Sequence, residues 1–428
     1  MYINSDSTSK INDYNNWGDM SVGLRAMATG GNATALGRNA AATAANAVAI
    51  GGGNGNSFND NTERTQATGV KSVAIGYKST ASGASASVLG TNASASSENA
   101  AAIGTSASAS AKDTFAAGTS ASAKAEGATA IGKGAEASKS DATAVGSGAT
   151  ASGAYATALG KDAEASEANA TALGNGATAE KADAIAIGRG ATSSGGERGV
   201  AIGKGAQSKA EEATAIGADS KAEKAHDSAL GTSATASGGG STAVGYLVNA
   251  TGNQSFSAGS NTSASGEAAV GIGYKASATG NRAISIGGNN GNNINQATGA
   301  NSTAIGTGAQ STAGNATAIG KGAIAKASDA MAFGTDAVAG NANATALGNG
   351  ANAISTSGIA IGQGATVGVA AAGRTAAVDA ANSIAIGKNA KVLAGSGSIA
   401  LGADTQITAS DVGTSSGSAQ KTYPYMLT

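Results

Sequence analysis

The stretch Gly132-Lys-Gly-Ala-Glu-Ala-Ser-Lys-Ser-Asp-Ala-Thr-Ala-Val-Gly146 decides the fold. It divides in two. Ala135 and Ala137 alternate with Glu136, and Ala142 and Ala144 alternate with Thr143 and Val145. Alternation with a period of two belongs to extended strands, whose successive side chains point to opposite faces. Between the strands stand Gly132-Lys-Gly134 and Ser138-Lys-Ser-Asp141, rich in the residue types that tolerate the positive φ of tight turns. One period is therefore two short strands and two turns. A helix fails here: there is no 3.6-residue stripe, and each interior Gly would cost about 1 kcal/mol relative to Ala.

The same unit recurs outward in both directions. Asn46-Ala-Val-Ala-Ile-Gly51, Lys71-Ser-Val-Ala-Ile-Gly76, Asp141-Ala-Thr-Ala-Val-Gly146 and Asn315-Ala-Thr-Ala-Ile-Gly320 all end in a large apolar residue and Gly. Counted on that Gly, 26 anchors run from Gly23 to Gly402, and 20 of the 25 intervals are 14 residues long. Eight such intervals follow one another from Gly76 to Gly188, a phase that chance does not keep. The expectation is an all-β parallel β-roll solenoid of about 27 turns, each strand pairing with its equivalent one period on.

Composition agrees with a thin core. Gly supplies 67 residues, Pro one and aromatics 3%, while much of the 41% hydrophobic content is Ala. There is no Cys, so disulfide and thiolate chemistry are excluded. A net charge of −1 offers no footprint for nucleic acid or an anionic membrane. No apolar run approaches the ~20 residues that span a bilayer. Residues 1–20 form a polar N-terminal segment without a signal-peptide core.

The alternation leaves two faces on the second strand, Ala142 with Ala144 and Thr143 with Val145. Large side chains ordinarily fill cores. The expected core column is therefore Ile50, Ile75, Ile103, Ile131, Val145, Leu159, Ile187, Ile216, Ile272, Ile319, Phe333 and Ile361. Phe115 and Phe256, in turns whose anchor residue is only Ala117 or Ala258, are expected to refill a thin core. The Ala face is then left to pack against a second copy around a symmetry axis. On the first strand the position between the two Ala residues is read as wet, with Glu136, Glu164 and Lys209 assigned to it.

Irregular places on a regular scaffold are candidates for binding. Three long intervals carry insertions near 52–64, 288–294 and 367–378. Phe58, Asn59, Asp60, Arg64, Ile294, Arg374 and the isolated Tyr155 are the candidate receptor-contact residues, against the alternative of solvated loops. The Asn/Asp-rich residues 54–63 follow no calcium-loop spacing, so no metal or cofactor is assigned. Tyr77, Tyr246 and Tyr274 each follow an anchor Gly and are expected to pack at the turn, with an aromatic contact row on the surface as the alternative. Residues 112–227 hold 27 of the 53 charged side chains with both signs mixed, a pattern that serves solubility.

The Val-Ala-Ile-Gly units at 14-residue spacing, clearest at 46–51 and 71–76, resemble the head repeats of trimeric autotransporter adhesins, the YadA-like heads. The resemblance spans roughly residues 20 to 407. It implies a left-handed roll, a homotrimer, and display on a Gram-negative surface, where such heads bind host receptors or extracellular-matrix proteins. The expected organisation is a head over 21–407 and a tail over 408–428 truncated before a neck or stalk, with the membrane reached only through an absent anchor domain. Catalysis is not expected. The one His, His226, lies beside Asp227 and no nucleophile motif accompanies it. A passive spacer and an ice-binding solenoid are the alternatives. The Thr34, Thr129, Thr143, Thr157, Thr171, Thr317 and Thr345 column speaks for the second only if it faces water, and the core assignment above places it inside.

Overall fold

A computed structural model describes residues 18–53, 63–289, 294–369 and 380–412. The chain forms two compact units, Met1–Asp219 and Ser220–Thr428. The described residues contain 52 β-strands and no helix, and the strands alternate between a longer and a shorter kind. The longer strand has three residues, or five at Thr242–Tyr246, Phe256–Ser260 and Val270–Tyr274. The shorter one has two or three. One of each makes a coil, so the described residues form a parallel β-solenoid of 26 coils, close to the number expected.

Every pairing is parallel and joins equivalent residues of successive coils. In the first unit Thr129 pairs with Thr143 and Thr143 with Thr157, while Ala137 pairs with Ala151. In the second, Thr303 pairs with Thr317 and Ile305 with Ile319. The backbone donors of one coil find acceptors in the next: Thr129 N–H donates to Ala142 O at 2.9 Å and Glu136 N–H to Ala149 O at 2.8 Å. Inside a coil only the turns close on themselves, as in Ala128 N–H to Ala125 O at 3.0 Å. Backbone polar groups are thus paired without a deep core.

The turns explain the composition. Asn99, Asp113, Asp141, Asn169 and Asp183 all hold φ near +56°, where Asn, Asp and Gly are favoured. Some of these side chains form ladders up the roll, with Asn169 Nδ2 donating to Asp183 Oδ1 at 3.0 Å, one period on. His226 occupies this same turn position, φ +60°, which gives the single imidazole an ordinary structural place.

The interior differs from the expected one. Ala128, Ala130, Ala135 and Ala137 are wholly buried, and so are most of their equivalents along both units. The large residues point the other way. Ile103, Ile131, Leu159 and Ile216 are exposed, and Ile50, Ile75, Val145, Ile187, Ile272, Ile319, Phe333 and Ile361 are half-buried. Phe115 is half-buried and Phe256 exposed on this same outer face, so neither refills the interior. The cause is coil size. Two strands closed by such short turns leave an inward position room for a methyl group, and longer side chains take the outward positions. The apolar exceptions turned inward are few: Val88, Val248, and the pair Val367 and Val392, which stack on each other in adjacent coils.

One glycine position is dictated by stacking. Gly132, Gly146 and Gly160 have φ between +129° and +142°. A Cβ on Gly132 would lie 2.4 Å from the carbonyl oxygen of Gly146. The anchor column is glycine because each anchor carbonyl abuts the anchor of the preceding coil.

Candidate interaction surface

The two outward faces of a coil differ in chemistry. The shorter strands turn polar residues out, among them Glu136, Glu164, Gln207 and Lys221. Lys209, assigned to this column from the sequence, sits instead in the following turn, and Gln207 takes the place between the inward pair Ala206 and Ser208. The longer strands present two columns, represented by Thr129 and Ile131. From Met20 and Val22 to Ile399 and Leu401, these columns contain no charged residue. Several of their members are strongly exposed, including Leu89 at 52%, Leu347 at 46% and Leu401 at 57%. Within each unit, aliphatic side chains repeated in register over successive coils make an apolar face, the kind of surface that marks an interaction site. The Thr column lies on this outer face and not in the interior.

The predicted contact residues fall in different places. Tyr155 is 64% exposed, at a turn position with φ +59°. Ile294 is exposed at the return from the second insertion. Arg64 is buried, at 6% exposure, and cannot offer its side chain to a partner as expected. It precedes Thr65, which turns inward and donates from Oγ1 to Gly76 O at 2.6 Å, fixing the chain where it re-enters the coil. Asn295 is bound to the Gly306 carbonyl in the same way. Phe58, Asn59, Asp60 and Arg374 lie outside the described residues.

The insertions keep the roll in phase. Across the first, Ile50 pairs with Ile75 and Ala42 with Ala67. Across the second, Ile286 pairs with Ile305. Both leave just after an anchor Gly, whereas the third leaves after the shorter strand Thr366–Val367.

Sequence reasoning missed a cluster at the first of these corners. Tyr77 Oη donates to Glu63 Oε2 at 2.6 Å, Lys78 pairs with Glu63 Oε1, and Lys78 Nζ stands 5.3 Å from the Tyr77 ring centre. Glu63 is one period before Tyr77, so the repeat itself was the signal. Tyr77, Tyr246 and Tyr274 are exposed rather than packed, and Lys275 lies 5.2 Å from the Tyr274 ring. The hydrogen bond to Glu63 and partial desolvation raise the Tyr77 hydroxyl above the ordinary phenol value, and the same carboxylate raises Lys78. Both folded values exceed the unfolded ones. While Glu63 is ionised, the stabilisation is therefore present below pH 10.0, and it is lost as pH rises through the raised values. The phenolate difference spectrum between the wild type and Tyr77→Phe should show late ionisation, and Glu63→Gln should bring it earlier. Equal titration in both backgrounds would contradict the latch.

In the second unit one carboxylate takes an inward Ala position. Asp227 is wholly buried and accepts from Lys224 N and Gly239 N at 2.9 Å, Ser241 N at 2.9 Å and Ser241 Oγ at 2.8 Å. Four donors satisfy it, and it holds the turn Gly238-Gly-Gly-Ser241 of the next coil.

Coils of this size, with an Ala-rich interior and an aliphatic outer column ending in Gly, match the family profile described as YadA head domain repeat (2 copies), at residues 28–54, 67–93, 81–107, 109–135, 137–163, 165–191, 194–220, 222–247, 264–290, 297–323, 325–351, 371–390 and 379–405. The chain belongs to the YadA head repeat family. It is a YadA-like head domain of trimeric autotransporter adhesins, a family of adhesins and not of enzymes. No individual curated protein matches it. The matches to the YadA head repeat pause at 248–263, yet the coils keep their 14-residue pairing there, with Val244 opposite Ala258 and Ala258 opposite Ile272.

Proposed function

We propose that this YadA-type head is a homotrimer, left-handed in its coil, that projects from the surface of a Gram-negative bacterium and binds a host cell-surface receptor or extracellular-matrix protein. The observation that carries the assembly is the charge-free aliphatic face of the longer strands. The face is exposed in the single chain, and burying it against copies of itself removes many aliphatic side chains from water at ~25 cal/mol per Å². The polar face and the turn corners then remain outside, where mixed pairs such as Lys124–Glu136 keep the surface soluble. Shallow contacts repeated on three chains raise avidity without a deep pocket.

Sedimentation across dilution tests the assembly: a persistent three-chain species is expected, and a folded monomer would remove it. Binding is tested on immobilised matrix proteins, with Tyr155→Ala and Ile294→Ala made separately. Each should keep the fold, and at least one should weaken binding several-fold. If the trimer binds no matrix protein or receptor, the spacer reading takes over. Outward Thr129, Thr143, Thr157 and Thr171 on four successive coils give the ice-binding reading a structural basis, and thermal hysteresis decides it.

A further inference from the structure

A face that repeats every coil has a problem of register. Two copies can meet in register, or slipped by one coil, about 4.8 Å along the axis. A slip then forfeits little more than one rung of contact at each end. Something that does not repeat must select one alignment.

Two rungs of the apolar face break the pattern, and both break it in the same way. Of the 26 longer strands, 24 carry Val, Ile, Leu or Phe in the second column. The two that carry Ala are Phe115–Ala117 and Phe256–Ser260, at Ala117 and Ala258. These are also the two that carry Phe in the first column, where the others have Thr, Ser, Ala, Val, Ile or Met. Bulk has moved across the rung, from the second column to the first. One such rung lies in each unit. The Phe side chain does not cover its own gap: Phe256 is 37% exposed, and Ala117 and Ala258 remain half-buried while inward Ala residues are wholly buried.

We infer that Phe115–Ala117 and Phe256–Ala258 are register keys for self-association. The inference rests on the assembly proposed above. Around a rotation axis the contact is heterologous, so the first column of one copy meets the second column of the next. In register, each Phe ring of one copy enters the gap over the corresponding Ala of its neighbour. Slipped by one coil, Phe115 meets Ile103 or Ile131, and Phe256 meets Val244 or Ile272, as the strand pairing of each chain dictates. Packed faces resist that excess volume. The wrong register is thus disfavoured by a clash and not only by lost contact, which is how specificity against near-equivalent alternatives arises.

The experiment uses the full chain. It contains no Cys, so a thiol introduced by Ser147→Cys at an exposed turn labels alone with a nitroxide. Distances between labels are measured by pulsed electron–electron resonance after refolding from denaturant, with mass measured in parallel. The keyed protein should give one narrow distance. The variant Phe115→Thr, Ala117→Ile, Phe256→Thr, Ala258→Ile, which makes both rungs regular, should keep the same mass but add populations offset by whole coils. A single unchanged distance in that variant would overturn the keys. Loss of assembly in it would overturn them too, by making the phenyl rungs the adhesive. A second variant, Ala117→Ile with Ala258→Ile, fills the gaps and keeps the rings. It should weaken assembly at least tenfold, and undiminished assembly would again refute the idea. A monomeric wild type would instead remove the assembly itself, a distinct failure visible in the mass alone.

Discussion

Ala130→Asp should unfold the coil that contains it, whereas Ile131→Asp, one residue on, should leave the coils folded and dissociate the assembly. Ala130 is wholly buried between Ala116 and Ala144 of the neighbouring coils. A carboxylate there has no water and no free donor, because nearby amides are committed: Ala128 N–H donates to Ala125 O and Ala142 N–H to Lys139 O. A buried unpaired charge belongs to the class of substitutions costing about 4 kcal/mol or more. Asp227 shows what such a group requires, four donors, one from its own turn and three from a rebuilt turn in the next coil. Ile131 is 37% exposed, so a carboxylate at that position reaches solvent in the single chain and should change its stability by no more than about 0.5 kcal/mol. In the assembly it places like charges in an apolar contact. Circular dichroism melts and sedimentation on both variants separate the two effects. If Ile131→Asp unfolds the chain and Ala130→Asp does not, the Ala interior is wrong.

Gly160→Ala should cost about 3 kcal/mol, and Gly134→Ala about 1 kcal/mol. Both residues have positive φ, +141° and +65°. At Gly134 an added Cβ meets nothing within 4 Å, so only the left-handed backbone is penalised. At Gly160 the added Cβ would stand 2.4 Å from Gly174 O, and that backbone cannot yield without opening the next coil. Denaturant titration of the two variants gives the difference directly. Equal midpoints would show that the anchor stack is not sterically required. Because coils touch only their neighbours, the damage at Gly160 should stay near the coils it joins.

The strands, their parallel pairing and the family were legible because alternation and a 14-residue phase act at the level of single residues. Which face points inward was not. Alternation separates Ala144 from Val145 without saying which is enclosed, and the usual ranking of buried residues favours Val. Coil diameter decides it, and that is a property of turn length. The same gap misplaced Phe333, Phe115 and the Thr column. Lys209 was a slip in register, as counting from Gly203 puts Gln207 in the outward place. Arg64 looked like a loop residue, but it stands 12 residues before Gly76, already inside the returning coil. Glu63 and Tyr77 are neighbours only because they are a period apart.

The pairing that carries on unbroken across each insertion has a consequence for how such a chain changes over time. Ile50 meets Ile75 and Ile361 meets Ile386 as if nothing intervened, since every coil is completed by its own two turns and fastened only to its neighbours. Length and decoration are therefore independent variables. Duplication or loss of a 14-residue segment adds or removes one coil while leaving both faces of its neighbours as they were. Foreign peptide admitted behind an anchor glycine alters what is displayed at one height and nothing else. Recombination within the gene, which copies repeats in whole multiples, is matched to the one kind of change this architecture absorbs.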